Sequence, residues 1–317
     1  MFSFVFAFVL KKGASFNNNM ICEEEEKEEN EEEEEEGPRE PRFPSRSPSG
    51  FPFANKDELQ RAIRMYIRTH EVDCPYGPIG TWDVSNMTDM SFLFDGFSTF
   101  NEPLDTWDVS HVVNMEGMFF DCFAFDQPLH TWDVSNVVNM AAMFVNCRAF
   151  NQPLGDWDVS HVVNMTNMFV NCSAFNQPLH TWNVSHVCNM ASLFRGCTTF
   201  DQPLGDWDVS NVRTMDCMFY ECKAFDQPLQ AWDMSNVVNM VHMFSGCLVF
   251  NQPLGDWDVS NVVDMQCVFW NCPAFDHALF VWTLKNTQVG THEHTLFSKV
   301  DQRKHCFDPG RVDYLLK

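Results

Sequence analysis

Positive charge is scarce in this chain. Lys and Arg number 20 against 44 Asp and Glu, giving a formal charge of −24 at pH 7. Between residues 82 and 281 only Arg148, Arg195, Arg213 and Lys223 oppose 23 acidic side chains. Phosphate backbones require the opposite sign, so nucleic acid is not an expected partner, whereas a protein with a basic surface is. Long apolar runs are missing as well. Met1–Leu10 is apolar but too short to span a bilayer, so no transmembrane span is expected. As a signal segment it is poor, because Lys11 and Lys12 follow the apolar run instead of preceding it. No Gly-rich phosphate loop, nucleophile elbow or deaminase-type Cys–His pattern occurs, so neither an enzyme nor a cofactor is expected.

What the sequence does have is a period. Trp82, Trp107, Trp132, Trp157, Trp182, Trp207, Trp232, Trp257 and Trp282 stand 25 residues apart, and Trp270 alone falls outside the series. A fixed period of this size marks stacked copies of one small unit. With Trp as position one, the unit reads Trp-Asp-Val-Ser-Asn/His-Val-x-Asn-Met-x-x-Met-Phe-x-x-Cys-x-x-Phe-Asn/Asp-Gln-Pro-Leu-x-x. Trp and Val alternate around Asp at positions one to three, as on a short strand. From position six the apolar spacing becomes three or four, for example Val137, Met140, Met143 with Phe144, and Cys147, which suits a short helix with Ser135 as its N-cap. Pro153 argues against a ladder strand at its own position and, with Gly155-Asp156, marks the turn into the next copy. One such unit cannot bury its apolar face alone, but a stack of them can. The expected fold is an α/β repeat solenoid of leucine-rich-repeat type: eight 25-residue coils, each with a short parallel strand and a short helix or helical turn.

The segment Phe-Asn-Gln-Pro-Leu-Gly-Asp-Trp-Asp-Val-Ser-His-Val-Val-Asn-Met-Thr-Asn-Met-Phe (150–169) resembles the 25-residue repeat of bacterial surface proteins and mycoplasma lipoproteins, the BspA-like leucine-rich-repeat group. The resemblance recurs in every copy and covers about two-thirds of the chain. It implies a solenoid used for adhesion or protein binding, without catalytic residues.

Outside the array, residues 1–52 read as a disordered extension. Its stretch 23–36 holds twelve Glu and one Lys, too charged to bury anything, and 37–52 is a Pro-, Ser- and Arg-rich linker. Residues 53–81 form a lead-in whose helix, with Leu59, Ile63, Tyr66 and Ile67 on one face, is placed to cap the first coil. The solenoid occupies 82–284, and 285–317 is a degenerate tail.

The cysteine column Cys122, Cys147, Cys172, Cys197, Cys222, Cys247 and Cys272, filled by Phe97 in the first copy, reads as buried packing without the doubled close spacing of a zinc site. A ladder of free thiols sits most comfortably in a reducing compartment. His111, His161 and His186, with His130 and His180 at a turn, read as surface polar residues with no metal role. Two columns are candidates for binding. Position fourteen varies and carries aromatics and Arg: Phe120, Val145, Val170, Arg195, Tyr220 and Trp270 are candidate partner contacts, with packing between coils as the competing reading. Asp83, Asp108, Asp133, Asp158, Asp208, Asp233 and Asp258 form an acidic ladder that either attracts a cation or basic partner or accepts turn hydrogen bonds. Asn183 in the same column favours the second, since it keeps the acceptor and not the charge. The leading function is a non-enzymatic protein-binding scaffold. The alternative is a secreted or surface-displayed adhesin of the same fold, which sequons such as Asn86-Met87-Thr88 and Asn171-Cys172-Ser173 would suit.

Overall fold

In a computed structural model of the protein, residues 52–69 and 74–277 are described. The chain divides into two units, Met1–Pro44 and Ser45–Lys317, and every described residue belongs to the second. The acidic tract, the Met1–Leu10 segment, Trp282 and the 285–317 tail lie outside the described residues.

Helix α1 (Lys56–Thr69) opens the described chain. Asn55 Oδ1 accepts the Glu58 amide at 3.0 Å, and the Glu58 carboxylate accepts the Ala54 amide at 2.9 Å, which satisfies two donors at its start. Asp57 and Glu58 in the first turn and Arg68 in the last suit the helix dipole. Leu59, Ala62, Ile63 and Tyr66, spaced three and four apart, form its buried face. That face meets the first coil: the Tyr66 ring stands edge-on to Trp82 at 5.8 Å, and Lys56 Nζ reaches Asp89 Oδ2 at 3.0 Å.

From Trp82 onward the chain winds as a repeat solenoid, each 25-residue copy lying on the next. Successive coils meet in parallel at position eight, through single bridges such as Asn139 with Asn164 and Asn164 with Asn189. The expected strand over positions one to three is not formed. Trp157 N donates to Leu154 O at 3.1 Å and Val162 N to Val159 O at 2.9 Å, so turns bracket the segment on both sides and leave no length for a ladder. Ser135 is not an N-cap either; its amide and hydroxyl both donate to Asp133 Oδ1.

The helix expected from position six is replaced by a chain of turns, and the backbone gives the reason. Positions eleven and fifteen hold positive φ in every coil, from Phe92 (φ 53°) and Gly96 (φ 78°) in the first to Cys267 (φ 56°) and Asn271 (φ 55°) in the eighth. A left-handed residue every four positions interrupts any right-handed helix. The amides at positions nine, eleven, thirteen and fifteen instead point to the following coil: Met140 N to Asn164 O at 3.0 Å, Ala142 N to Thr166 O at 2.8 Å, Phe144 N to Met168 O at 2.9 Å and Asn146 N to Val170 O at 2.7 Å. Those between them close turns within their own coil, as Val145 N does on Ala142 O at 3.2 Å. The apolar spacing of three and four was a true sign of one buried face, but left-handed corners produce it here.

The core is a set of columns. Phe144 and Phe169 stack at 5.6 Å and 7° between coils, Phe150 and Phe175 at 6.0 Å and 7°, and within a coil Phe144 meets Phe150 at 4.3 Å. These are offset stacks, which relieve the face-to-face repulsion of the ring quadrupoles. The side chains at positions one, three, six, nine, twelve, thirteen, sixteen, nineteen and twenty-three of the central coils are all buried, so each copy contributes apolar area that only its neighbours can cover.

Candidate functional site

Polar columns tie each coil to the next, and they define what is left for a partner. The Asn or Asp at position twenty accepts the amide of its counterpart one coil later: Asn151 N to Asp126 Oδ1 at 2.9 Å, Asn176 N to Asn151 Oδ1 at 2.9 Å and Asp201 N to Asn176 Oδ1 at 2.9 Å. The Gln beside it donates back, as Gln177 Nε2 does to Asn151 O at 2.9 Å. His277 in the eighth coil meets Asn251 O at the same distance. Each Trp of the central coils gives its indole N–H to a Leu carbonyl, for instance Trp157 Nε1 to Leu129 O at 2.9 Å. Every thiol of the cysteine column donates to a Phe carbonyl of the preceding coil, Cys172 Sγ to Phe144 O at 2.9 Å among them. Burial pushes these thiols well above their ordinary range, and Cys272, in the last described coil, is pushed up to about 12. Thiols held so far from ionising make poor nucleophiles and poor metal ligands.

The acidic ladder is at the surface. Asp108, Asp133, Asp158, Asp208 and Asp233 are exposed, while Asp83 and Asp258 are half-buried. Each accepts the amide of the Ser two residues on, at 3.0–3.1 Å, and Asn183 does the same for Ser185 at 3.2 Å. The hydroxyl and amide of Ser110 hold the Asp108 carboxyl below its usual range, and Ser160 and Ser210 do so for Asp158 and Asp208. Turn acceptor and surface charge are thus two roles of one residue.

Position fourteen does not form a single exposed patch. Of the six candidate residues Val145 is buried, Phe120, Val170 and Tyr220 are half-buried, and Arg195 and Trp270 are exposed. Arg195 lays its guanidinium 5.0 Å from the Tyr220 ring one coil on, and His242 meets the same ring edge-on at 5.9 Å. At Arg195 and Tyr220 the column makes a contact between coils. His111, His161, His186, His130 and His180 are exposed. Among the described residues no group of three or more His, Cys, Asp or Glu is placed to hold a metal ion, and no helix is long and apolar enough to cross a membrane.

The exposed apolar column is at position seven, which is mostly Val. Of the ten large hydrophobic residues exposed among the described residues, five belong to it: Val113, Val138, Val163, Val238 and Val263. The signal was present in the three other residues there, Thr88, Cys188 and Arg213, since Arg is not accommodated in a buried apolar column.

A family model described as "Mycoplasma protein of unknown function, DUF285" matches residues 63–179, 152–240 and 206–306. No curated protein matches the chain. One similar solved structure is the "Crystal structure of TLR13-ssRNA13 complex", at 10% identity and a TM-score of 0.24; the likeness covers 71% of this chain and 35% of that one.

Proposed function

The chain belongs to the DUF285 family of Mycoplasma proteins of unknown function, and on that premise we propose that it is a non-enzymatic scaffold that binds a protein with a basic surface along its stacked coils. The observation that carries this is the outward-facing Asp row, repeated coil after coil with only Asn183 breaking it. The few cations of the array do little to offset it: Lys223 lies 3.6 Å from Glu221, and Arg148 and Arg195 lie over the rings of Phe123 and Tyr220. A regular line of like charge raises the encounter rate of an oppositely charged partner and loses that advantage in salt. The polar columns behind the row spend their donors and acceptors on neighbouring coils, which suits support of a surface better than chemistry at a site. The full chain, immobilised as bait at low and high salt, tests the proposal. Saturable capture of a protein that weakens with salt, and weakens again when Asp108, Asp133 and Asp158 are all changed to Asn, supports it. Capture of nothing, or capture indifferent to both changes, overturns it.

A further inference from the structure

The three successive valines Val113, Val138 and Val163 are 45%, 40% and 39% exposed, in coils whose equivalent core side chains are fully covered. Their positions are fixed by the backbone, since Val138 N donates to Val113 O at 2.9 Å and Val163 N to Val138 O at 3.0 Å. One methyl-bearing side chain therefore projects per coil, in a straight row tied along its length. The row stops at half-buried Cys188 and then exposed Arg213.

We propose that this ridge seats one amphipathic α-helix of a partner protein, its apolar stripe on Val113, Val138 and Val163 and basic residues on its flanks, matched to the net negative charge of these coils. The inference rests on the scaffold reading above and adds which face is used and what shape occupies it. Spacing decides between shapes. Bridged chains repeat about every 4.8 Å, a helix offers one apolar turn about every 5.4 Å, and an extended chain offers a same-face residue only about every 6.8 Å. Over the two steps from Val113 to Val163 a helix drifts by roughly 1 Å and an extended segment by roughly 4 Å, so only the helix keeps all three contacts. Charge decides the flank. Coils two to four contain a single Lys or Arg, Arg148, and it sits 4.9 Å over the Phe123 ring at position seventeen. The Asp row is exposed in the same coils, and Glu116, tied by Asn139 Nδ2 at 3.1 Å, adds a carboxylate beside the bridges. Length follows from Arg213, which would repel a cationic helix, so the seat holds about three turns.

A synthetic fluorescent peptide with Leu at helical spacing and Lys on both flanks, compared with its scrambled isomer of identical composition, tests this against the full chain by anisotropy. The patterned peptide should bind and the scrambled one should not. Val138→Asp should weaken binding by about tenfold or more, and the shape-preserving Val138→Thr by a smaller factor. Val249→Asp, exposed on another column, should leave binding unchanged. Thermal melts of the variants check that each remains folded, and Val138→Thr keeps the test decisive should Val138→Asp not fold. Equal binding of both peptides, or binding indifferent to Val138→Thr and Val138→Asp, overturns the ridge. If neither peptide binds while the chain still captures a protein, the ridge is wrong and the scaffold stands; if nothing is captured either, both fall.

Discussion

The two sides of each coil are held by different bonds. On the side of positions eight to fifteen, backbone amides reach backbone carbonyls of the next coil, as in Ala142 N to Thr166 O. On the side that runs from position nineteen through Trp, side chains do the joining: Asn151 Oδ1 to Asn176 N, Gln177 Nε2 to Asn151 O, Trp157 Nε1 to Leu129 O. The difference explains how the repeat varies. Where the backbone carries the bonds, side chains are free to differ, and position ten reads Ser91, Glu116, Ala141, Thr166, Ala191, Asp216, Val241 and Gln266. Where side chains carry them, the letters hardly change, and position twenty is always Asn or Asp. Freedom to diversify is greatest on the bridge side.

Substitutions on the side-chain-held face should therefore cost most. Trp157→Ala removes a buried ring and the donor to Leu129 O together, and we expect a loss of roughly 3–5 kcal/mol in chemical unfolding. Trp157→Phe, which keeps an aromatic ring and drops only the N–H, should cost clearly less; equal costs would mean that the indole bond, not the packing, dominates. Asn151→Ala comes next. It strips the acceptor from the Asn176 amide and from Gln177, an expected loss of about 1–3 kcal/mol, whereas Asn151→Asp should be nearly neutral because Asp126 and Asp201 already fill this position.

Smaller still is the effect of the surface row. The Ser partners hold Asp108, Asp158 and Asp208 below the usual carboxylate range, so these groups are ionised more readily in the folded chain than in the unfolded one. Their stabilising contribution is present above the unfolded carboxylate pKa and is lost as pH falls through the folded value. Asp158→Asn should change stability at neutral pH by no more than about 0.5 kcal/mol and flatten the loss on acidification. A large loss at neutral pH would show that the charge, and not the acceptor, supports the turn.

Much of the architecture was legible because it is translational. Twenty-five-residue spacing, the buried Trp, Phe and Cys columns and the turn-acceptor role of Asp all follow from what one residue type can do when repeated. Helix α1 was legible from Leu59, Ile63 and Tyr66 at helical spacing with acidic residues at its start. The local backbone was not. Left-handed φ at Ala142, Cys217 or His242 leaves no mark in side-chain chemistry, and the amide of each of these residues donates to the following coil. A true helix and a run of left-handed corners bury apolar residues at the same spacing. The same corners leave position fourteen mixed, with Val145 buried and Arg195 and Trp270 exposed, while Val113, Val138 and Val163 at position seven face water.

Native-state hydrogen exchange in Asn151→Ala and Val163→Ala tests the division between the two sides most directly. In Asn151→Ala the Asn176 amide should lose protection while the Ala142 amide, bonded to Thr166 O at the same coil interface, keeps it. In Val163→Ala both should remain protected. Protection of Asn176 surviving Asn151→Ala, or Asn176 and Ala142 losing protection in step, would contradict the claim that side chains hold one face and backbone the other.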